Sequence, residues 1–217
     1  MYQAVIFDLD GTLLNTIDDL ANAVRFVQRK FGWAEDSTEV VQQHVGNGIR
    51  NLIIRSTPEG EENPLFEDAF LSFKEYYQQH CEEQTDLYPG IRELLETLKR
   101  KNIKMAIVSN KAHPAVLKLH DTYFKDYLDV VYGENEDAGI QKKPAPDMVK
   151  LAMERLGVTA SETVYVGDSD VDKATADNSG LDCILCEWGF RELSLLKSLK
   201  PKAIIAEPLE LIKLVQV

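Results

Sequence analysis

Two carboxylates stand two residues apart near the start of the chain, in the segment Asp8-Leu9-Asp10-Gly11-Thr12. The segment directly follows the apolar run Ala4–Phe7, which is too short for a helix and is typical of a strand buried on both faces. Open α/β sheets bind ligands at the carboxyl ends of such strands. The spacing of two aims Asp8 and Asp10 at one point. An ordinary polar turn, with its glycine at a positive φ, is the alternative interpretation.

Three further polar segments follow apolar runs or precede a helical pattern. The first is Ser109-Asn110-Lys111, whose hydroxyl and amide suit the oxygens of a phosphate. The second is Lys142-Lys143-Pro144, in which the proline restricts the backbone just ahead of a helix. The third runs from Gly167 to Asp172 and contains three aspartates. Taken singly, these segments also fit a polar loop, a solvated basic turn and acidic residues at a helix N-terminus.

Taken together, the segments predict three converging carboxylates, those of Asp8, Asp10 and Asp168. At a separation of about 4 Å, each pair of charges would repel by about 4 kcal/mol at intermediate dielectric, so the cluster needs a cation. Ligands that are all oxygen favour Mg²⁺. Lys143 adds a positive charge for an incoming dianionic phosphate. This is the chemistry of phosphoryl transfer, although the residues alone do not decide which aspartate attacks.

The elements that position these residues alternate along the chain. Short apolar runs recur after the first one, at Met105–Val108, Val130–Tyr132, Val164–Val166, Cys183–Cys186 and Ile204–Ile205. Helical patterns lie between them, at Ile91–Lys101, Ala115–Tyr123, Asp147–Leu156 and Val171–Asn178. This alternation predicts an α/β fold with an open, Rossmann-like, mostly parallel sheet.

One region, from about Thr16 to Leu87, interrupts the alternation because it carries helical patterns and no strand pattern. Beyond its first helix, we predict one helix over Val40–Ser56 and another over Leu65–Cys81. The chain therefore divides into an α/β catalytic core, residues 1–15 and 88–217, and an inserted all-helical cap, residues 16–87. An insertion that leaves and re-enters at one edge can move as a lid.

Composition limits the possible partners. The 217 residues include 24 Lys and Arg against 36 Asp and Glu, a net charge of −12, which argues against nucleic acid and against an anionic membrane surface. No apolar stretch reaches the roughly 18 residues of a membrane-spanning helix, and the first residues lack the basic region of a secretory signal. We expect a cytoplasmic protein that acts on a small phosphorylated metabolite, and its oligomeric state stays open.

Cysteine usage agrees with a reducing compartment, because three cysteines do not make a closed set of disulfides. Cys183 and Cys186 have a spacing found in redox and zinc sites. On a strand, however, positions i and i+3 face opposite sides. We therefore predict two separate, buried thiols.

The four polar segments, in order and spacing, resemble the four motifs of the haloacid dehalogenase superfamily of phosphatases, and the resemblance covers essentially the whole chain, cap included. Finer details resemble the phosphoglycolate phosphatase branch: Leu13-Leu14-Asn15-Thr16, Val45-Gly46-Asn47-Gly48, Ser109-Asn110-Lys111, Lys143-Pro144-Ala145-Pro146-Asp147 and Trp188-Gly189-Phe190. One segment, Gly133-Glu134-Asn135-Glu136-Asp137, departs from the Gly-Gly-Asp sequence expected there. The resemblance implies a Mg²⁺-dependent phosphomonoester hydrolase, with 2-phosphoglycolate as the leading substrate.

The resemblance also implies a role for each matching residue. Asp8 would be the nucleophile that forms an aspartyl-phosphate, and Asp10 would protonate the leaving alkoxide and then deprotonate the attacking water. Lys143 would neutralise the phosphoryl oxygens. These oxygens would be held by Thr12, Ser109 and Asn110. The Mg²⁺ ligands would be Asp8, the backbone carbonyl of Asp10, and Asp168, with Asp172 behind them.

Other activities fit the same motifs less well or equally well. A phosphomutase or a pyrophosphatase on the same scaffold stays open. A signalling protein phosphorylated slowly at Asp8 is disfavoured by the cap, since a lid fits turnover better than display. A dehalogenase is disfavoured by Asp10, because a leaving halide needs no proton.

The cap contains one candidate for contacts with the organic part of the substrate, the turn Gly46-Asn47-Gly48 with Arg50 nearby. We expect this loop to close over the substrate, with Arg50 as a partner for a carboxylate. The alternative is a turn that simply begins a helix.

Overall fold

The computed structural model describes residues 1–46, 48–128, 130–135 and 138–215. The chain forms two compact units, one made of residues 1–14 and 87–217 and the other of residues 15–86. Among the described residues, no helix combines the length and the apolar character required to cross a bilayer.

A parallel sheet of six strands forms the centre of the first unit, the α/β unit. The strands in the described part of the chain are β1 (Ala4–Phe7), β2 (Leu14–Asn15), β3 (Asp86–Leu87), β4 (Lys104–Ala112), β5 (Val130–Glu134), β6 (Thr163–Gly167), β7 (Asp182–Cys186) and β8 (Ala203–Ile205). The sheet has the order β5-β4-β1-β6-β7-β8, and every neighbouring pair is parallel. The short strands β2 and β3 pair separately. The predicted α/β fold is confirmed.

Helices cover both faces of this sheet, so its strands are buried on both sides. The helices of the α/β unit are α5 (Ile91–Arg100), α6 (His113–Tyr123), α7 (Asp147–Leu156), α8 (Asp170–Ser179), α9 (Leu193–Ser198) and α10 (Glu210–Val215). Val5 and Phe7 belong to one apolar cluster, with side chains of α5, α6 and α10, and Ile6 to the other, with side chains of α7, α8 and α9. Cys183 and Cys186 are free, buried and in different clusters, as predicted.

Strand β1 lies at the point where the strand order reverses, with β4 on one side and β6 on the other. Such a point opens a crevice at the carboxyl ends of the strands, where ligands bind. The ladder continues just past β1, because the backbone N–H of Asp8 donates to the carbonyl of Val166 at 2.9 Å. The segments that follow β1, β4 and β6 therefore share one edge of the sheet.

The second unit, the helical unit, contains α1 (Ile17–Phe31), α2 (Thr38–His44), α3 (Gly48–Ser56) and α4 (Phe66–His80). Helices α1 and α4 pack together, and the Phe26 ring stacks on Tyr76 with centroids 4.1 Å apart. Near the start of α1, the buried carboxylate of Asp19 accepts hydrogen bonds from the backbone N–H groups of Gln84 and Thr85. These contacts tie the last residues of the unit to its first helix.

The prediction of one helix over Val40–Ser56 is wrong, since α2 and α3 are separate helices. Gly46 has a φ of 124° and Gly48 a φ of 82°. An α-helix requires a φ of about −63°, so the backbone cannot stay helical through these positions. Asn47 lies outside the described residues.

Candidate active site

The candidate site is assembled from four segments of the α/β unit. Asp8 directly follows β1, and Ser109 and Asn110 lie in the last part of β4. Lys143 precedes α7, and Asp168 directly follows β6. Because β1 lies between β4 and β6, the fold brings these polar side chains to the carboxyl ends of adjacent strands.

Lys143 is at the centre of the site. Its ammonium donates to Asp8 Oδ1 at 2.7 Å and to Asp172 Oδ1 at 2.8 Å. It also donates to the Tyr165 hydroxyl at 3.3 Å. The Lys143 side chain is only 3% exposed. Burial opposes its charge, but the carboxylates of Asp172 and Asp8 outweigh burial and raise the pKa of Lys143, so it stays an ammonium.

Asp172 has hydrogen-bond partners on both oxygens. Oδ1 also accepts from the Tyr165 hydroxyl at 3.0 Å, in addition to Lys143. Oδ2 accepts from the backbone N–H groups of Asp168 and Ser169 at 3.1 Å each, and from the Ser169 hydroxyl at 2.5 Å. Burial acts to raise the pKa of Asp172, but Lys143 and these hydrogen bonds lower it overall. The lowered pKa favours the charged form of Asp172, which anchors Lys143 and the start of α8.

Asp8, Asp168 and Asp172 are all buried, and each offers a ligand oxygen within 4.8 Å of the others. Burial, followed by the charge of Asp172, raises the pKa of Asp8 well above its ordinary range. The same two causes raise the pKa of Asp168 to about 7. One ammonium against three carboxylates leaves an excess of negative charge, which favours uptake of a cation or of protons.

Close packing of glycines fixes the position of Asp168. A Cβ atom at Gly189 would lie 2.3 Å from the Cβ of Asp168, and one at Gly11 would lie 2.5 Å from its Oδ2. Gly11 also has a φ of 86°, which residues with a side chain rarely adopt. The backbone N–H of Phe190 donates to Asp168 Oδ2 at 2.7 Å. The segment Trp188-Gly189-Phe190 thus holds this carboxylate in place.

The three predicted phosphate-binding side chains have different surroundings. The Thr12 hydroxyl is buried and has no hydrogen-bond partner among the described residues. The Ser109 oxygen accepts from the backbone N–H of Lys111 at 3.1 Å. Asn110 instead holds the backbone of Lys143, accepting from its N–H at 2.7 Å and donating to its carbonyl at 3.0 Å. Its amide therefore positions the central lysine.

Comparisons with known proteins identify the family of this chain, and the matching relatives cover nearly all of it. Residues 5–186 match the family model of haloacid dehalogenase-like hydrolases. The chain belongs to this family. It is 33% identical over 219 residues to a phosphoglycolate phosphatase of Nitrosospira multiformis, covering 99% of this chain and 96% of the relative. A phosphoglycolate phosphatase of Chromobacterium violaceum is 31% identical over 216 residues, with 97% and 96% covered.

A solved structure is also similar. A crystal structure of a protein from Lactobacillus delbrueckii subsp. bulgaricus has a TM-score of 0.93 and 33% identity, and the match covers 99% of this chain and 98% of that one. The prediction of a phosphatase of the haloacid dehalogenase superfamily is confirmed. The segments that build the site described above are the four that resemble the motifs of this superfamily.

Sequence reasoning missed two residues of this haloacid dehalogenase-like site. The Lys111 ammonium donates to both carboxylate oxygens of Asp10, at 2.9 and 3.2 Å. Its position directly after Ser109 and Asn110 was a usable signal. Tyr165 carries no such signal, because a tyrosine within an apolar run has the pattern of a core residue.

The cap candidates lie in the helical unit of this hydrolase, and Arg50 already has partners there. Its guanidinium donates to Glu61 at 2.8 Å and to Glu67 at 2.6 Å. It also lies over the Phe66 ring, 4.9 Å from the centroid. Gly46 and Gly48 form the break between α2 and α3, as the alternative interpretation of a helix-initiating turn expects.

Proposed function

We propose that the protein hydrolyses a small phosphomonoester, with 2-phosphoglycolate as the leading substrate, through a covalent aspartyl-phosphate on Asp8 with Mg²⁺ bound. The observation that carries this proposal is the position of Asp8. One of its oxygens is held by Lys143 at 2.7 Å, while Oδ2 has no hydrogen-bond donor among the described residues. A carboxylate that is oriented on one side and unencumbered on the other can attack phosphorus.

The donor set fits Mg²⁺. One lysine faces three buried carboxylates, and the pKa values of Asp8 and Asp168 are raised. The negative charge of the cluster is therefore under-compensated. Asp172 uses both oxygens for Lys143 and the start of α8, which leaves Asp8, Asp168 and the backbone carbonyl of Asp10 to hold the ion. When bound, the ion supplies positive charge that reduces the repulsion between Asp8 and a phosphate dianion.

The first chemical step makes and breaks one bond at phosphorus. An Asp8 oxygen attacks and the bond to the ester oxygen breaks. Asp10, which must have taken up a proton before this step, gives that proton to the leaving alkoxide. Lys143 contacts Asp8 and carries a fixed positive charge that offsets the charge on the phosphoryl oxygens. The Thr12 and Ser109 hydroxyls each keep a hydrogen for those oxygens.

The second step returns Asp8 to its starting state. Asp10, now a carboxylate, takes a proton from a water molecule as that water attacks the phosphorus of the aspartyl-phosphate. The acyl-phosphate bond breaks, and orthophosphate leaves. The names of the two curated relatives support 2-phosphoglycolate as the substrate of this chain.

Asp8→Asn tests the proposal. We expect release of phosphate from 2-phosphoglycolate with Mg²⁺ to fall by about 10⁴-fold or more, because an amide does not attack phosphorus. Asp182→Asn, in the exposed pair with Lys202, is the matched control and should keep full activity. Rapid quenching with ³²P-labelled substrate should label the wild type and not Asp8→Asn, and hydroxylamine should release the label.

Clear outcomes would contradict the proposal. Turnover in a clean Asp8→Asn preparation would exclude the covalent route. Transfer of the phosphoryl group back to substrate, instead of to water, would identify a phosphomutase. Absence of phosphate release from any ester, together with a long-lived label on Asp8, would favour the signalling protein.

A further inference from the structure

Lys111 is a second buried lysine of the α/β unit, separate from the contacts of Lys143. Its side chain is 2% exposed, and its ammonium spans both oxygens of Asp10, whose side chain is 17% exposed. Lys111 lies in the last part of β4, at the end of the strand next to β1. A lysine this buried loses most of its hydration, so its charge acts strongly on any anion that reaches it.

The two lysines serve different carboxylates. Lys143 contacts Asp8, the proposed nucleophile, and Lys111 contacts Asp10, the proposed acid and base. In the proposed mechanism, Asp8 meets the phosphorus and Asp10 meets the ester oxygen of the leaving group. Lys111 is therefore placed on the leaving-group side of the reaction, away from the task of neutralising the phosphoryl oxygens.

The covalent geometry of the substrate brings a second anion to that side. In 2-phosphoglycolate, the carboxylate carbon is separated from the ester oxygen by two bonds of about 1.5 Å each. A hydrogen bond from Asp10 to the ester oxygen spans about 2.5–3.0 Å. A cation in contact with Asp10 is thus within reach of that carboxylate. Lys143 shows that one ammonium in this site bridges two carboxylates.

We infer that Lys111 recognises the carboxylate of the leaving group, so that the preferred substrates are phosphate esters of small 2-hydroxy acids. The inference rests on the proposed function. In the bound state, the Lys111 ammonium bridges Asp10 and the substrate carboxylate. It replaces the water that the carboxylate loses on entering the site.

Arg50, the residue that the sequence suggested as the partner of the substrate carboxylate, is less suited to that role than Lys111. Its side chain is 42% exposed, and two glutamates already occupy its guanidinium. An exposed arginine that is already paired must give up contacts with its glutamates to bind a substrate carboxylate. The free energy gained from an ion pair exposed to water is small. The buried lysine carries the greater discrimination.

Lys111→Met is the principal test, measured with three esters: 2-phosphoglycolate, its neutral amide 2-phosphoglycolamide, and ethyl phosphate. We expect the wild type to prefer the acid over the amide in kcat/KM. In Lys111→Met, this acid-to-amide ratio should fall by about 10- to 100-fold, the usual contribution of a hydrogen bond to a charged group. The kcat/KM values of the amide and of ethyl phosphate, whose leaving groups carry no carboxylate, should change far less.

Two variants and a control complete the experiment. Lys111→Arg keeps the charge and should keep most of the acid-to-amide ratio. Lys111→Gln, which retains a donor for Asp10 without charge, should lose the ratio even where Lys111→Met does not fold. The control is Lys202→Met, in the exposed lysine–aspartate pair with Asp182, and it should change neither the ratio nor the rate.

The possible failures are distinguishable. Equal losses on all three esters in Lys111→Met would show that Lys111 only positions Asp10, and would overturn the inference. So would a collapse of the ratio in Arg50→Ala with none in Lys111→Met. A wild-type ratio near one would overturn it while leaving a phosphatase. No phosphate from any of the three esters with Mg²⁺ would instead count against the proposed function.

Discussion

A cation held between two carboxylates occurs in both units of the molecule, in surroundings that differ in their access to water. In the α/β unit, Lys143 donates to two aspartates at 2.7 and 2.8 Å, and its side chain is 3% exposed. In the helical unit, Arg50 donates to two glutamates at 2.8 and 2.6 Å, and its side chain is 42% exposed. The distances and charges are nearly the same.

Burial makes the consequences of these two clusters different. In water, the ion pairs of Arg50 are screened, and hydrated carboxylates tolerate its loss. Around Lys143, the carboxylates of Asp8 and Asp172 are 10% and 0% exposed, so water compensates little for loss of the lysine and each depends on the ammonium. Ion-pair geometry alone therefore does not identify a functional charge. The burial of all the members of the Lys143 cluster does, together with the pKa of Asp8, which burial and Asp172 raise well above its ordinary range.

Removing the cation from each cluster should give the largest contrast. Lys143→Met leaves buried carboxylates unpaired and should cost about 3–5 kcal/mol in the free energy of unfolding. Arg50→Met should change this quantity little, because its glutamates stay hydrated. Urea unfolding of both variants, without divalent cations, measures the difference. Similar losses in the two variants would contradict the comparison.

The strands and helices of the α/β unit were predictable because their patterns are local. The helix Asp147–Leu156, for example, was predicted with the bounds that the structure has. The break between α2 and α3 was predicted inconsistently, because apolar spacing continues across Gly46 and Gly48 while the two glycines also indicate a turn that begins a helix. The backbone leaves the helix at Val45, whose ψ is 155°, and Gly46 and Gly48 continue the break with positive φ; glycine within a helical pattern does not reveal its φ.

For the site, motif spacing was enough to select Asp8, Lys143 and Asp168 as candidates. Their partners depend on pairing across the sheet. Lys111 reaches Asp10 because β4 flanks β1, and Tyr165 meets Lys143 because the segment before α7 lies near β6, a topology that no single segment encodes. A role that depends on long-range contact is thus visible in the fold and not in the local sequence.

Tight packing around the buried cluster gives the next prediction. Gly189→Ala places a Cβ 2.3 Å from that of Asp168, so the loop or the carboxylate must move. We expect a loss of about 1–3 kcal/mol in stability and weaker Mg²⁺ binding. Gly32→Ala in the helical unit has a strained φ of 73° but open space. It should lose stability and keep its Mg²⁺ affinity, measured as the rise in Tm with added Mg²⁺.

The buried carboxylates also predict how Mg²⁺ binding depends on pH. Asp168 in the folded protein has a pKa of about 7, raised by burial and by Asp172. The folded state therefore holds this proton at pH values where the unfolded chain, with a pKa of about 3.9, has lost it. Stability from this group is present at low pH and is lost as the pH rises through about 7.

In the proposed function Mg²⁺ binds Asp168 in competition with this proton, so its stabilising effect should be larger at pH 8 than at pH 6. The measurement is the change in Tm on adding Mg²⁺ at each pH and constant ionic strength. Asp168→Asn should remove most of the effect at both. An equal shift in the wild type at the two pH values would show that Asp168 does not bind the ion.

The stability of the helical unit should respond to pH in the opposite direction, and this effect should be the smallest of the four predicted in this comparison. Burial lowers the pKa of His44, with Asp36 opposing and Arg55 assisting, and its Nδ1 lies 2.9 Å from the Ser56 hydroxyl. The unfolded chain, with a histidine pKa of about 6.5, therefore binds a proton more readily than the folded protein. Stability from His44 is present above this pKa and is lost as the pH falls through it.

His44→Gln keeps a side chain able to hydrogen-bond with Ser56 and removes the titration. Unfolding free energies at pH 7.5 and 5.5 should show a smaller acid-induced loss in this variant than in the wild type. An identical pH dependence of the unfolding free energy in the two proteins would show that His44 does not contribute to the acid-induced loss of stability. A loss in the expected direction would mean that acid weakens the helical unit over the same range in which it relieves repulsion among the buried aspartates. The stabilities of the two units would then respond to protons with opposite signs. Burial disfavours the charged form in both cases, and this form is the protonated one for a histidine and the deprotonated one for a carboxylate.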